Sequence, residues 1–241
     1  MKISVIVPAF NEEKLVAATL RSIQEAARSF TRRGWETEII VCDNNSTDAT
    51  GDLARAAGAR VVFEPVNQIA RARNAGAAAA TGDWFIFVDA DSRPTAELFA
   101  EVAEEVCRGA CLAGGCTVRM DEWHWAAAVG TGLWNLVSRV MKWAAGSFVF
   151  CEAAAFRKAG GFSLELFASE EVELSRRLKK LARESGRKIV ILHRHPLLTS
   201  ARKTRLYSRG DWLRFFGKAI LSPRATITNR EACGPWYDGR R

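Results

Sequence analysis

The sequence predicts an α/β domain, a mostly parallel sheet with helices on both faces, and three observations carry the prediction. Short β-branched or aromatic runs alternate with helix-spaced segments over the first ninety residues or so, as in parallel strands joined by crossover helices. The fourth run, ending FIFV, is so apolar that it must lie in the middle of the sheet. Polar or acidic clusters follow three of the runs, at Pro8-Ala9-Phe10-Asn11, Asp43-Asn44-Asn45 and Asp89-Ala90-Asp91, where open parallel sheets bind their ligands. With 48% hydrophobic residues among 241 and no low-complexity tract, the chain can bury a substantial core.

Lys2 to Val7 (KISVIV) reads as the first strand, stopped by Pro8, and Glu12 to Phe30 as a helix with Leu15, Ala18/Thr19, Ile23 and Ala26/Ala27 on one face. Glu38 to Cys42 is the second strand, and in the DNNSTDAT that ends it Ser46 or Thr47 can cap a helix running to about Ala57. Arg60 to Phe63 is a third strand, the alanine-rich stretch from Asn67 to Ala80 a helix stopped at Thr81-Gly82, and Asp83 to Val88 the fourth strand. The second half is less regular. It reads as a helix from Thr95 to Cys107, a strand near Gly115 to Arg119, a Trp-rich helix from Trp123 to Ala145 and a strand from Phe148 to Cys151. A helix from Val172 to Arg183, with Leu174, Leu178 and Leu181 on one face, leads to a last strand from Lys188 to Leu192. With no internal repeat or linker, a single domain is expected.

The formal net charge of +8 favours an anionic partner: a nucleotide, a phospholipid surface or an acidic substrate. Much of the excess lies between Arg176 and Arg209 and at Arg240-Arg241, and a solvated basic surface reads the same way. No basic-aromatic motif or zinc module accompanies it, so nucleic acid is not an expected partner. The six cysteines form no CxxC pair and read as free thiols. The opening MKISVIVPAFNEE meets Pro8 and then acids, a first strand more than a signal peptide, which leads to the expectation of a cytoplasmic protein. The longest apolar segment, 123–151, is broken by Arg139 and Lys142 and never supplies the ~20 uncharged residues of a spanning helix. Its stripe of Trp125, Val129, Leu133, Leu136 and Val140 is expected to pack against the domain, while Trp123, Trp134 and Trp143 leave aromatic surface for a sugar, a lipid acceptor or a membrane interface. PAFNEE holds no glycine, which excludes a dinucleotide fingerprint and the glycine-rich basic loop of a nucleotidyltransferase.

Asp89 and Asp91 stand one residue apart at the end of an apolar strand, and two such carboxylates repel unless a cation joins them. Magnesium or manganese is commonly shared between carboxylates and substrate phosphates; a turn cap before Pro94 is the plain alternative. Asp43 can accept a hydrogen bond from a base N–H such as the uracil imide, or close an Asx turn. Arg71, Arg73 and Asn74 lie on a helix facing the same rim, where an arginine can reach a phosphate or stay solvated.

In order along residues 1 to 183, SVIVPAFNEE, CDNNSTDAT, ARNAG with ATGDWFIFVDADSRP, AAAFRKAGGF and SEEVELSRRL together resemble the family 2 glycosyltransferases. The resemblance implies a GT-A fold, a nucleotide-diphosphate sugar donor with UDP-sugars favoured, a divalent metal (Mn2+ or Mg2+) and inversion at the anomeric carbon. It implies that Pro8, Ala9, Asn11 and Glu12 hold the nucleoside, that Asp43 reads uracil with Asn45 beside it, and that Arg73-Asn74 is the family's RN pair. Asp89-Ala90-Asp91 becomes the DxD, with Asp89 and Asp91 on the metal and His195, in a segment with His193 after the last strand, completing the shell as a late histidine does in some relatives. The family's late ED falls on Glu170-Glu171, so that Glu171 stands where an aspartate is customary as general base; acids favoured by a helix start are the plain reading. Thr199 to Lys203 (TSARK) resembles a serine-and-basic segment expected to close over the diphosphate. Residues 1–195 then form the catalytic domain, 1–92 its nucleotide-sugar half and 93–195 its acceptor half, followed by a basic extension, 196–241. The acceptor is open, a lipid-linked one included, reached through peripheral contact at the inner membrane face. A non-catalytic module of the same fold that binds sugar nucleotide or polyprenyl phosphate is the alternative.

Overall fold

A computed structural model describes residues 1–122, 125–202, 206, 210 and 222–237. Trp123, Lys203, Arg209 and Arg240-Arg241, all named above, lie outside them. Strand β1 (Lys2–Ala9) leads through α1 (Val16–Thr31) to β2 (Glu36–Asp43), then α2 (Thr50–Ala56), β3 (Arg60–Phe63), α3 (Ile69–Ala79) and β4 (Trp84–Val88). All pairings among these four strands are parallel, with β1 between β2 and β4. The chain continues through β5 (Ser92–Arg93), α4 (Ala96–Arg108), β6 (Cys111–Met120), α5 (Trp125–Met141), β7 (Phe148–Glu152), α6 (Ala153–Ala159), α7 (Glu170–Glu184) and β8 (Lys188–Thr199). Helix α8 (Pro223–Ile227), a 3-10 turn at Glu231–Cys233 and α9 (Gly234–Tyr237) follow. The eight strands form one sheet in the order β3-β2-β1-β4-β7-β6-β8-β5. Strand β7 runs antiparallel to both β4 and β6, and the short β5 antiparallel to the end of β8.

Both faces of the sheet are covered, which is why its strands read as unbroken apolar runs. Ile3, Val5 and Val7 of β1 pack with Val16, Leu20 and Ile23 of α1 and Phe99 and Val102 of α4. On the opposite face Ile6 joins Phe85 and Phe87 of β4, Phe156 of α6, and Leu174 and Leu178 of α7. Alternation along β1 assigns its odd and even residues to the two cores. Aromatic contacts extend the second core to the rim: the Phe87 ring centroid lies 5.2 Å from Phe156 and 5.0 Å from Phe162, spacings that favour edge-on and offset packing.

Four departures from the sequence reading bear on the site and the surface around it. Helix α2 starts at Thr50, so neither Ser46 nor Thr47 caps it; Ser46 Oγ instead accepts from the Asn11 N–H at 3.0 Å. Helix α6 was not expected, because seven residues are too few to show a period. Strand β8 runs to Thr199 instead of Leu192 and crosses the expected boundary at residue 195. Its pairing with β6 slips register after Leu192 and resumes at Leu197. Pro196 falls within the slip, where its missing N–H breaks no ladder bond.

The fourth departure is α5. The helix stops at Met141 because Lys142 takes a left-handed φ of 52°. Its apolar stripe does not pack on the domain: Val129, Leu133, Leu136 and Val140 are 58–69% exposed. The opposite side is seated instead, with Trp134 against the first core, Ser138 buried, and the Asn135 amide bonded to both the N–H and the C=O of Val118 at 3.0 and 2.9 Å. Satisfying both main-chain groups of a β6 residue fixes the helix rotation, and that rotation sends the stripe outward. Among the described residues no helix is long and apolar enough to cross a membrane. The described end of the chain packs back on the domain, with Cys233 and Tyr237 in a cluster with Ala168, Phe167, Ile69 and Ile227.

Candidate active site

Strand β4 delivers Asp89 to the rim, and the turn after it is closed by main-chain groups: Ser92 N–H donates to the Asp89 C=O at 3.0 Å. The turn is clamped from the other side by β8. Ser200 N–H donates to the Asp91 C=O at 3.1 Å, and Ser92 Oγ to Thr199 Oγ1 at 3.0 Å. Backbone groups close most of the turn, while Asp91 Oδ1 accepts from Ser92 Oγ at 3.3 Å and Asp89 Oδ1 from Arg73 Nη2 at 2.9 Å, leaving two carboxylates one residue apart at the rim. Such a pair suits magnesium or manganese, with a diphosphate and water completing the shell.

Arg73, in the middle of α3, is the hub of the site. It is 1% exposed, and its guanidinium donates from Nη1 to Glu170 Oε1 at 2.6 Å and from Nη2 to Asp89 Oδ1 at 2.9 Å and the Gly146 carbonyl at 2.7 Å. The plane lies over the Phe162 ring, 5.1 Å from its centroid. Burying a guanidinium costs several kcal/mol, which only close, geometrically good partners offset. Burial by itself would lower the Arg73 pKa, but Asp89, Glu170 and Glu171 outweigh it and hold the group above its ordinary value. Arg73 is therefore a fixed cation joining the aspartate side of the site to the glutamate side, its terminal nitrogens committed to protein acceptors and not to a phosphate.

Helix α7 starts on those two glutamates, after Ser169 in a left-handed conformation with φ 63°. Glu170 is 3% exposed and salt-bridged to Arg73. The Glu171 pKa is pushed up to about 8, chiefly by burial and then by the Glu170 charge, against the lowering effect of Arg73. A Cβ on Gly146 would lie 3.3 Å from the Glu171 carboxyl carbon. A glycine there leaves room for a side chain one methylene longer than aspartate.

Pro8, Ala9, Glu12, Asn44, Ala90 and Tyr237 line a pocket with Asp89 and Asp91. Asp43 does not line it: its Oδ1 accepts from the Ser46 N–H at 3.0 Å, and a Cβ on Gly51 would fall 2.9 Å from its Oδ2. The Asx-turn reading of Asp43 is the one observed, and the turn presents Asn44 in its place. Asn45 is exposed with φ 65°, and Asn11, with φ 53° and its Oδ1 accepting from the Thr47 N–H at 2.8 Å, ties the β1 loop to the β2 loop. Asn74 gives its whole amide to the Phe162 backbone at 2.8 and 2.9 Å and positions the turn under Arg73. His195 does not join the aspartates. It lies with Nε2 3.7 Å from Glu101 of α4, because β8 continues about 13 Å beyond it to the rim. Among the described residues no group of three or more His, Cys, Asp or Glu could hold a metal unaided.

Two residues complete the site. Arg202, in the TSARK segment, pairs through Nη2 with both oxygens of Glu12 at 2.7 and 2.9 Å. Its Nε and Nη1 are buried with no partner among the described residues, an arrangement that calls for an anion. Tyr237, 8% exposed, accepts from the Ile69 N–H at 3.4 Å, and burial and Glu170 raise its pKa. The TSARK run signalled the first; an isolated tyrosine in a basic tail carried no signal for the second. A larger groove of about 580 Å³ runs along β8 between α4 and α7 but holds none of Asp89, Asp91 and Glu171.

The model of the Glycosyl transferase family 2 matches residues 4–159, which include Arg73 and the Asp89-Asp91 pair but not Glu170-Glu171. An uncharacterized glycosyltransferase of Mycobacterium tuberculosis is 35% identical over 141 residues, covering 57% of this chain and 60% of that protein. This chain therefore spans less than two thirds of that relative's length. The dolichol-phosphate mannosyltransferase of Pyrococcus furiosus is 29% identical over 123 residues, 48% of this chain and 33% of that one. Among solved structures, S. aureus TarS 1-349 in complex with UDP superposes with a TM-score of 0.66 at 20% identity, covering 98% of this chain and 68% of that one. Glucosyl-3-phosphoglycerate synthase from Mycobacterium tuberculosis, in complex with Mn2+, UDP and phosphoglyceric acid, gives 0.64 at 20%, covering 95% and 80%. At such identity these likenesses establish the GT-A fold. With the fold, the motif order and the family model in agreement over most of its length, the chain belongs to glycosyl transferase family 2.

Proposed function

We propose that the protein is a metal-dependent inverting glycosyltransferase that moves a sugar from a nucleotide-diphosphate sugar, a UDP-sugar by preference, to an acceptor hydroxyl. The observation that carries this reading is the Arg73 hub, one buried guanidinium joining Asp89 of the metal-ligand pair to Glu170 beside the candidate base. The donor class is supported by neighbours crystallised with UDP-GlcNAc, with UDP and Mn2+, and with GDP-Man and Mn2+. Asp89 and Asp91 would hold the ion, which when bound supplies charge neutralisation at the diphosphate.

The remaining steps belong to this chain's own side chains. Pro8, Ala9 and Asn44 border the nucleoside, on a loop whose shape Asp43 maintains. The Nε and Nη1 of Arg202, without a partner among the described residues, receive diphosphate oxygens, where charge develops as the anomeric bond breaks. Glu171 takes the proton of the acceptor hydroxyl as that oxygen bonds to the anomeric carbon on the face opposite the departing diphosphate. Arg73 pairs with Glu170 beside it and holds the 142–147 loop through Gly146. A groove of about 540 Å³ between α5 and the end of β6, with Asp121 and Asn135 in its wall, is large enough for an acceptor.

Calorimetric titration with UDP and with GDP, each with and without Mn2+, tests the donor side. UDP binding should require Mn2+ and disappear in Asp91→Asn; metal-independent binding would refute the Asp89-Asp91 assignment. Affinity without any release of nucleoside diphosphate from a sugar nucleotide would assign the site to the non-catalytic binding module instead.

A further inference from the structure

Along α5, Val129, Leu133, Leu136 and Val140 form one exposed stripe about 16 Å long. It is not a displaced core face, since Trp134, Asn135 and Ser138 already seat the helix on the sheet. Contiguous apolar surface of this kind marks a docking face.

The charges around the stripe say what it meets. Arg139 on the helix and Lys142 just past its end are exposed. Lys179 of α7 donates to the Met141 carbonyl, Arg176 lies over the Trp143 ring at 5.1 Å, and Arg183 follows one turn on from Lys179. Burial, then Arg183, Arg176 and Lys142, lower the Lys179 pKa, so these cations feel one another. Among the described residues none of the five has an acidic partner, whereas their neighbours Arg177 and Arg187 are paired with Glu173 and Glu152. An apolar helix face bordered by uncompensated cations is the composition of a helix lying in an anionic lipid interface. A second copy docked face to face across a two-fold axis would bring ten such cations together, which disfavours self-association.

We propose that the α5 face and the Arg139, Lys142, Arg176, Lys179 and Arg183 cluster dock on the surface of an anionic lipid bilayer. The segment that leaves α5 carries Gly146 to Arg73 within a few residues, so docking sets the Glu171 rim beside the lipid. On the glycosyltransferase reading above, the acceptor is then a hydroxyl or phosphate presented by the membrane.

Co-sedimentation with vesicles tests the docking without donor, metal or turnover, so its failure is distinct from failure of the transferase reading. The protein should pellet with vesicles containing about 30% phosphatidylglycerol and not with phosphatidylcholine alone, and raised salt should release it. Leu133→Glu with Leu136→Glu should lower partitioning at least roughly tenfold, as loss of two inserted side chains implies, with far-UV circular dichroism unchanged. Arg176→Glu with Arg183→Glu should abolish the lipid-charge preference. Equal binding to both vesicle types, binding to neither, or unaltered binding by the double glutamate variant would overturn the proposal. So would a dimer in sedimentation equilibrium that Leu133→Glu dissociates, which would assign the face to a second copy.

Discussion

Replacing Glu171 by glutamine should stabilise the fold and abolish transfer. Glu171 titrates near 8 in the folded chain against an ordinary 4.5, because burial and the Glu170 charge disfavour its ionised form. Between those two values the unfolded chain binds fewer protons at this position than the folded one, so stability is lost as pH rises. The interval corresponds to a ceiling of about 5 kcal/mol, and local relaxation and water around a coupled group bring the expected gain to about 2 kcal/mol at pH 9. Near pH 4 both states carry the protonated acid and the gain should vanish. Urea denaturation of the wild type and Glu171→Gln at pH 5, 7 and 9 reads the difference directly. Two stability curves that stay parallel across that range would refute the reasoning, since the carboxylate would then be at no disadvantage in the folded site. As a base, Glu171 must be ionised, so transfer by the wild type should rise with pH through about 8; transfer retained by Glu171→Gln would move the base elsewhere.

Arg73→Lys should lower stability by about 3 to 5 kcal/mol, because an ammonium cannot reproduce the fork that serves Glu170, Asp89 and Gly146 together; a loss below about 1 kcal/mol in urea denaturation would contradict the hub assignment. Arg202→Gln offers the diphosphate no cation and removes a counter-charge from the buried Glu12 carboxylate, so UDP affinity measured by calorimetry should fall about tenfold and the melting temperature should fall with it. Unaltered affinity would remove Arg202 from the donor site.

Much of the first half of the chain was legible because its signals are local. The β3 run was bounded correctly at Arg60–Phe63, and the helix expected from Thr95 begins at Ala96, with Thr95 Oγ1 accepting from the Leu98 N–H at 3.2 Å as its cap. The position of Asp89 and Asp91 at the rim was legible because they end a strand apolar enough to be central. Arg73 was visible only as a helix arginine; that its partners are carboxylates, not phosphates, depends on α7 arriving 97 residues later in the chain. Of the two readings the sequence left for Asp43, the structure shows the Asx turn, its Oδ1 accepting from the Ser46 N–H, and Asn74 spends its amide on the Phe162 backbone, a contact 88 residues away that the sequence could not show.

By itself the sequence determined the alternation of strands and helices, the two-sided burial of the sheet and the rim where its acids collect. Those follow from periodicity and propensity within a dozen residues. Only the tertiary structure decided that one guanidinium links Asp89 to Glu170, that Arg202 and Tyr237 return to the first loop, that His195 stops short of the rim, and that α5 faces outward. Each of these is a choice between partners far apart along the chain. Such choices turn on desolvation, strand register and which buried polar group finds its match, quantities that exist only once the sheet has brought the ends together.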